Sequence, residues 1–163
     1  MASNHSLDRN KGKLSDIKTN IEAQKAEATK LEEQKQALLD AGTEIQGSDQ
    51  LDEKAKASIM EELQNSLEEN SEKGEELSSE MNTDFQEIEE MKQETQDAMA
   101  ANQKERSRLE STKSLLDRFG LGDHLEEGIS ELDDNMSEEQ EFNDSLMETE
   151  KEAQEVASRL GAV

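Results

Sequence analysis

The stretch MEELQNSLEENSEKGEELSSEMNTDFQEIEEMKQETQDAMAANQKERSRLESTKSLLDRF, residues 60–119, decides how this chain folds. Its apolar side chains stand at Met60, Leu63, Leu67, Leu77, Met81, Ile88, Met91, Ala98, Leu109, Leu116 and Phe119. Every interval is three, four or a sum of the two in alternation. That is the spacing of a narrow stripe on an α-helix that packs lengthwise on another helix. The same register passes through Asn70, Gly74, Asp84, Thr95, Asn102, Glu105 and Thr112, which are weak or polar. As one helix the run holds roughly 70 residues and reaches about 105 Å at 1.5 Å per residue.

On the N-terminal side, Leu14, Ile17, Ile21, Ala28, Leu31, Leu38 and Ile45 repeat the spacing, with Gln24 and Lys35 as polar exceptions. Gly42 and Gly47 then interrupt it, and Ser48 or Asp49 is expected to cap the next helix. On the C-terminal side the run stops at Phe119-Gly120-Leu121-Gly122, where glycine can end a helix in the left-handed conformation. Asp123, three residues before Glu126, suggests a capping box. Leu125, Ile129, Leu132, Met136, Leu146, Ala153, Ala157 and Leu160 then mark a third stripe. The expected fold is all-α: long antiparallel helical hairpins forming a coiled-coil rod, one domain over 1–163. Its helices are expected at about 6–42, 49–119 and 123–160. The alternative breaks the middle helix near 74–84 and gives a compact four-helix bundle.

Composition agrees with thin seams rather than a thick core. Of 163 residues 30% are apolar and 37% charged, and Phe is the only aromatic, present three times. Pro, Cys, Trp and Tyr do not occur, so neither disulfides nor thiol chemistry can operate. Low hydrophobicity with a net charge of −24 usually signals disorder, but the regular apolar spacing argues for ordered helix. That charge makes nucleic acid and anionic membranes poor partners, because phosphate binding needs clustered Lys and Arg. No apolar stretch approaches the roughly 20 residues that span a bilayer. The N-terminus shows no continuous hydrophobic signal region, so the expected location is cytoplasmic, with any export by a non-Sec route.

Charge also bears on how the helices pair. Residues 1–42 carry seven basic and seven acidic side chains, whereas residues 43–103 carry four and eighteen. Residues 104–118 carry five and three, and residues 119–163 two and fourteen. Folding back at about residue 45 sets Lys13, Lys18, Lys25 and Lys30 beside Glu61–Glu76. Folding again at Leu121 brings Lys104, Arg106, Arg108, Lys113 and Arg118 near Asp134, Asp133, Glu131, Glu127 and Glu126, in that order. Antiparallel hairpins match these blocks better than parallel copies do. In this scheme helix 1 ends opposite residue 84 and helix 3 opposite residue 82, so the two line the central helix end to end.

Residues that carry chemistry are sparse. His5 lies near the N-terminus and His124 beside a turn, positions that suit solvated side chains. A di-iron bundle needs repeated Glu-x-x-His pairs, and none is present. Asp133, Asp134, Asn135 and Glu138 lack the glycine and spacing of a calcium loop. There is no phosphate-binding glycine loop and no nucleophile elbow. The sequence predicts no enzyme, catalytic residue, metal or cofactor. Methionine suits an adaptable helical interface; Met60, Met81, Met91 and Met136 fall within the stripes, while Met99 and Met147 sit beside them and would widen them into a docking face. At the Phe119-Gly-Leu-Gly-Asp123 turn, Phe119 and Leu121 would form an exposed recognition tip if the segment does more than end a helix.

Residues 82–160, two helices of nearly forty residues joined at an aromatic-Gly-Leu-Gly turn, resemble the helical hairpins of bacterial type VII secretion. These are the WXG-motif proteins and the helical accessory proteins of LXG-motif toxins. About half the chain is covered; a Trp-x-Gly motif is absent, and a Tyr-based export signal is impossible. Phe119-x-x-x-Asp123 and Phe85-x-x-x-Glu89 are Phe counterparts of that signal. The resemblance implies a non-catalytic targeting partner or chaperone that pairs with a toxin's helical N-terminal domain. The expected partner-binding residues are Phe119, Leu121, Asp123, Phe85, Met99 and Met147. The alternative is a structural coiled-coil spacer or assembly subunit that self-associates.

Overall fold

A computed structural model describes residues 2–163, with side chains from residue 5 onward. Three helices account for nearly all of them: α1 (Ala2–Gln46), α2 (Glu53–Asp117) and α3 (Glu126–Ala162). A 3-10 turn, Gly122–Leu125, leads into α3, and no strand occurs among the described residues. α2 runs for 65 residues without interruption. The four-helix alternative with a break at 74–84 is therefore not adopted.

The end of α1 is tied by Gly47 N–H donating to the Thr43 carbonyl at 3.1 Å. α2 begins later than expected, because its cap is Asp52 rather than Ser48 or Asp49. The Asp52 carboxylate accepts Ala55 N–H at 2.7 Å, the geometry of an N-cap bonding the third helical residue. Ser48 instead accepts Gln50 N–H through its hydroxyl, at 3.3 Å.

Contacts cluster into two units, and each helix contributes to both. The first unit joins α1 as far as Asp16 with Gln86–Glu150. Here α2 and α3 run antiparallel: Asn102 meets Glu139, Arg106 meets Asp133 and Lys113 meets Glu126. Of the five expected basic–acidic pairings across this hairpin, Arg106–Asp133 forms, while Lys113 takes Glu126 in place of Glu127. The start of α1 adds a third helical segment to the seam through Leu7, Asn10 and Leu14, all buried, with Asn10 donating to Glu94 at 2.8 Å. Ile88, Phe142 and Leu146 complete the closed part of this core.

The second unit joins Ile17–Phe85 with Lys151–Val163. α1 and α2 run antiparallel, fixed where Asn70 Nδ2 donates 3.0 Å to the Leu31 carbonyl. The end of α3 lies parallel to α1: Arg159 bridges Glu32 at 2.8 Å, and Lys35 Nζ donates to the Ala162 carbonyl at 2.8 Å. Gly74 explains itself here. A Cβ at that position would collide with the Leu160 carbonyl and Val163, so glycine permits the close approach of α3. Ile17, Ile21, Leu31, Met81 and Leu160 form the core, each at most 2% exposed. Burying each such side chain is worth about 1.5–3 kcal/mol.

Two expectations about how the helices pair fail. α1 and α3 do not meet end to end opposite residues 82–84. In each unit both lie alongside α2, so α3 faces two helices and needs a wider stripe. Phe142, Thr149, Val156 and Val163 supply that second row. α1 ends at Gln46 and α2 starts only at Glu53, so Leu31 meets Asn70 rather than the residue near 59 that folding at 45 implies. Lys13, Lys18, Lys25 and Lys30 make no ion pair among those found for the described residues.

In each unit the seam is closed only where three helical segments meet. Past the start of α1, in the first unit, Leu109, Leu116, Leu125, Ile129, Leu132 and Met136 are all partly exposed. Past the end of α3, in the second unit, Leu38, Ile45, Ile59, Met60, Leu63 and Leu67 are partly exposed.

Candidate partner-binding surface

The α2–α3 turn of the first unit is built by its hydrogen bonds. Leu121 N–H donates to the Leu116 carbonyl at 3.0 Å, and Gly120 N–H to Asp117 at 3.2 Å. These are the paired bonds of a Schellman motif, with Gly120 at φ +74° in its left-handed position. The expected glycine cap is what forms. The expected capping box is not: the Glu126 backbone N–H goes to the Asp123 carbonyl, and Asp123 lies within the 3-10 turn. Lys113 reaches Asp117 at 3.6 Å and Glu126 at 3.7 Å, holding the two helix ends together.

Around this turn the apolar side chains face outward. Phe119 is 78% exposed, Leu115 58% and Leu121 48%. Leu115 near the end of α2, with Phe119 and Leu121 in the turn, makes three exposed large hydrophobes within seven residues at the partly open end of the seam. Asp123 is exposed beside them.

The other expected residues are placed elsewhere. Met99 is partly exposed on α2, about 27 Å of helix from Asp117 at 1.5 Å per residue. Met147 is exposed on α3, where its sulfur accepts from Asn143 Nδ2 at 3.8 Å. Phe85 belongs to the second unit and is partly exposed. Phe119, Leu121 and Asp123 are thus brought together, and Phe85, Met99 and Met147 are not part of that cluster.

Leu115 and Leu39 were not anticipated, yet both are exposed apolar side chains. The sequence does carry a signal for them. Leu38-Leu39 and Leu115-Leu116 are adjacent pairs, and neighbours turned 100° apart on a helix cannot both enter a narrow seam. One member of each pair must face outward.

The shifted Glu139, Lys92 and Glu32 each sit at a contact between two helices. Burial pushes the Glu139 carboxyl up; the Asn102 hydrogen bond of 2.7 Å opposes the shift and the neighbouring Glu138 adds to it. Its second oxygen, Oε2, is buried with no hydrogen-bond partner. The Glu150 hydrogen bond holds Lys92 above the ordinary lysine range, and Arg159 holds Glu32 below the ordinary carboxylate range. Among the described residues no group of three or more His, Asp or Glu is placed to hold a metal. No described helix is long and apolar enough to cross a membrane. The protein-family models, the curated proteins and the solved structures contain no match to this chain.

Proposed function

We propose that this protein is a non-catalytic helical interaction module. It binds a helical protein partner at the α2–α3 hairpin of its first unit, next to the Gly120 turn. The observation that carries this reading is the outward cluster of Leu115, Phe119 and Leu121 where the seam stands partly open. Burying an apolar side chain of this kind contributes about 1.5–3 kcal/mol, and such anchors dominate interfaces in which a helix lies in a groove. The seam closes wherever a third helical segment is present, and a partner helix would do the same here.

The hairpin and its aromatic-Gly-Leu-Gly turn support a more specific role. It is that of a targeting partner or chaperone for a toxin's helical N-terminal domain, held in the cytoplasm and leaving by a non-Sec route. Self-association as a spacer is the competing outcome of the same experiment. Light scattering after size exclusion, alone and with helical proteins encoded nearby, separates them. The module binds one such protein as a stable complex, and F119A/L121A weakens that complex at least tenfold while leaving helix content unchanged. A homo-oligomer indifferent to every other protein would overturn the proposal.

A further inference from the structure

We infer a second docking groove, in the second unit, that takes an amphipathic helix with basic flanks. This rests on the reading of the protein as a helix-binding module. The track of α3 along α1 and α2 is fixed by contacts: Arg159 on Thr29 and Glu32, Lys35 on the Ala162 carbonyl, and Gly74 against Leu160 and Val163. A helix presents the same direction every seven residues or nearly so. From Glu32 and Lys35 one heptad along α1 leads to Leu39 and Gly42, with Thr43 on the same side. From Gly74 one and two heptads back along α2 lead to Leu67 and Met60, with Gln64 between them. These six positions continue the α3 track beyond Val163.

The continuation has two properties that select its occupant. None of the six side chains is charged, in a chain where 37% of residues are. Leu39 is 45% exposed, and Leu67 and Met60 are partly exposed. The floor is therefore uncharged, with an accessible apolar strip of Leu39, Met60 and Leu67, while Gly42 is buried next to Met60. Its margins are acidic: Asp40, Glu61 and Glu68 each follow a floor leucine or methionine by one residue, and each is exposed. No lysine or arginine of the described residues bridges any of these three acids.

An apolar strip between carboxylate margins fits a helix with Leu or Ile at heptad spacing and Lys or Arg on both flanks. A second copy of this chain is the poorer fit. It would bring the same three acids against their equivalents, in a molecule already at −24. The site requires no rearrangement, because α3 already lies in the same track one step earlier.

The test uses the full chain and two synthetic peptides of about three heptads. They share Leu at the seam positions and differ only in carrying Lys or Glu on the flanks. Fluorescence anisotropy should show the Lys peptide bound, the Glu peptide unbound, and the complex weakened by salt. L39E should lower Lys-peptide affinity at least tenfold. That direction is diagnostic: the substitution adds a negative charge, so binding by charge alone would strengthen. Leu39 is half exposed, so the variant is expected to retain its fold, and circular dichroism checks this. Q64E provides a second probe at an exposed position and should also weaken binding.

Equal affinity for wild type and both variants overturns the inference, as does equal binding of the two peptides. So does a dimer that L39E dissociates, since the occupant is then another copy. If the helical partner of the first unit binds L39E normally while the Lys peptide binds nothing, this groove fails and the proposed function stands. If neither binds, the proposed function fails with it.

Discussion

Glu139 is the side chain where the fold bears a local cost. It is 3% exposed, accepts one hydrogen bond from Asn102, and leaves its second oxygen without a partner. A buried, half-satisfied carboxylate prefers its neutral form. Its folded pKa lies above its unfolded one, so its favourable contribution is complete below the unfolded value near 4.5 and is lost as pH rises through the raised value. E139Q keeps the carbonyl that accepts from Asn102 and removes the charge. We expect it to stabilise the protein at neutral pH by about 1 kcal/mol, a rise of roughly 2–4 °C in Tm. The difference should shrink as pH falls toward 4, and thermal melts across pH measure it. Glu32 acts in the opposite sense, since its lowered pKa makes the Arg159 contact a contribution lost on acidification. A Gln variant less stable than wild type at pH 7 would show that the charge is favourably solvated.

At the scale of elements, the sequence was most legible where the register was longest. α2 keeps its heptad from Met60 to Leu116, and Asn70, Asp84 and Thr95 are buried in it despite their polarity. Local bonds make this tolerable: Asn70 reaches the Leu31 carbonyl, and Thr95 donates 2.7 Å to Met91 within its own helix. Thr112 is exposed, so the register outlasts the closed seam. What could not be read was the number of neighbours. A stripe two residues wide fits one partner helix, whereas Phe142, Val156 and Val163 form an added row that only a second partner requires. The start of α2 was misplaced: Ser48 or Asp49 was expected as its cap, and geometry picks Asp52, an equally good capping residue. The stop after Asp117 was clearer, since Gly120 alone among the described residues has positive φ. G120A forces a Cβ into that conformation and should cost about 1 kcal/mol. Chemical denaturation would read it as a lower midpoint with an unchanged m-value, and an unshifted midpoint would mean that the turn relaxes freely.

Across the whole molecule, charge works against compactness. With 42 acidic and 18 basic side chains, repulsion among carboxylates is expected to outweigh the ion pairs, each worth at most about 1 kcal/mol when exposed. The Debye length falls from about 30 Å at 0.01 M salt to about 8 Å at 0.15 M. Raising salt across that range should therefore raise Tm by several degrees, and a fall would mean that the ion pairs dominate. The same imbalance shaped what the sequence could say about the candidate site. Phe119 and Leu121 stood out because large apolar residues are rare here, and the glycines flanking Leu121 marked a turn. Leu39 and Leu115 stayed hidden because each sits beside a seam leucine and reads as part of it. That Met99, Met147 and Phe85 stand away from the turn follows from their spacing along the helices, whereas the place of Phe85 in the second unit depends on which segments meet.

The methionines extend the same contrast to oxidative damage. Met81 is sealed in its core at 0% exposure and Met91 nearly so at 3%, whereas Met147 stands 55% exposed. Sulfoxide formation turns an apolar thioether polar and follows reagent access. Brief peroxide treatment followed by peptide mass spectrometry should mark Met147 early. Met81 should resist until the helices separate, which makes its sulfoxide a chemical clock for opening of the core.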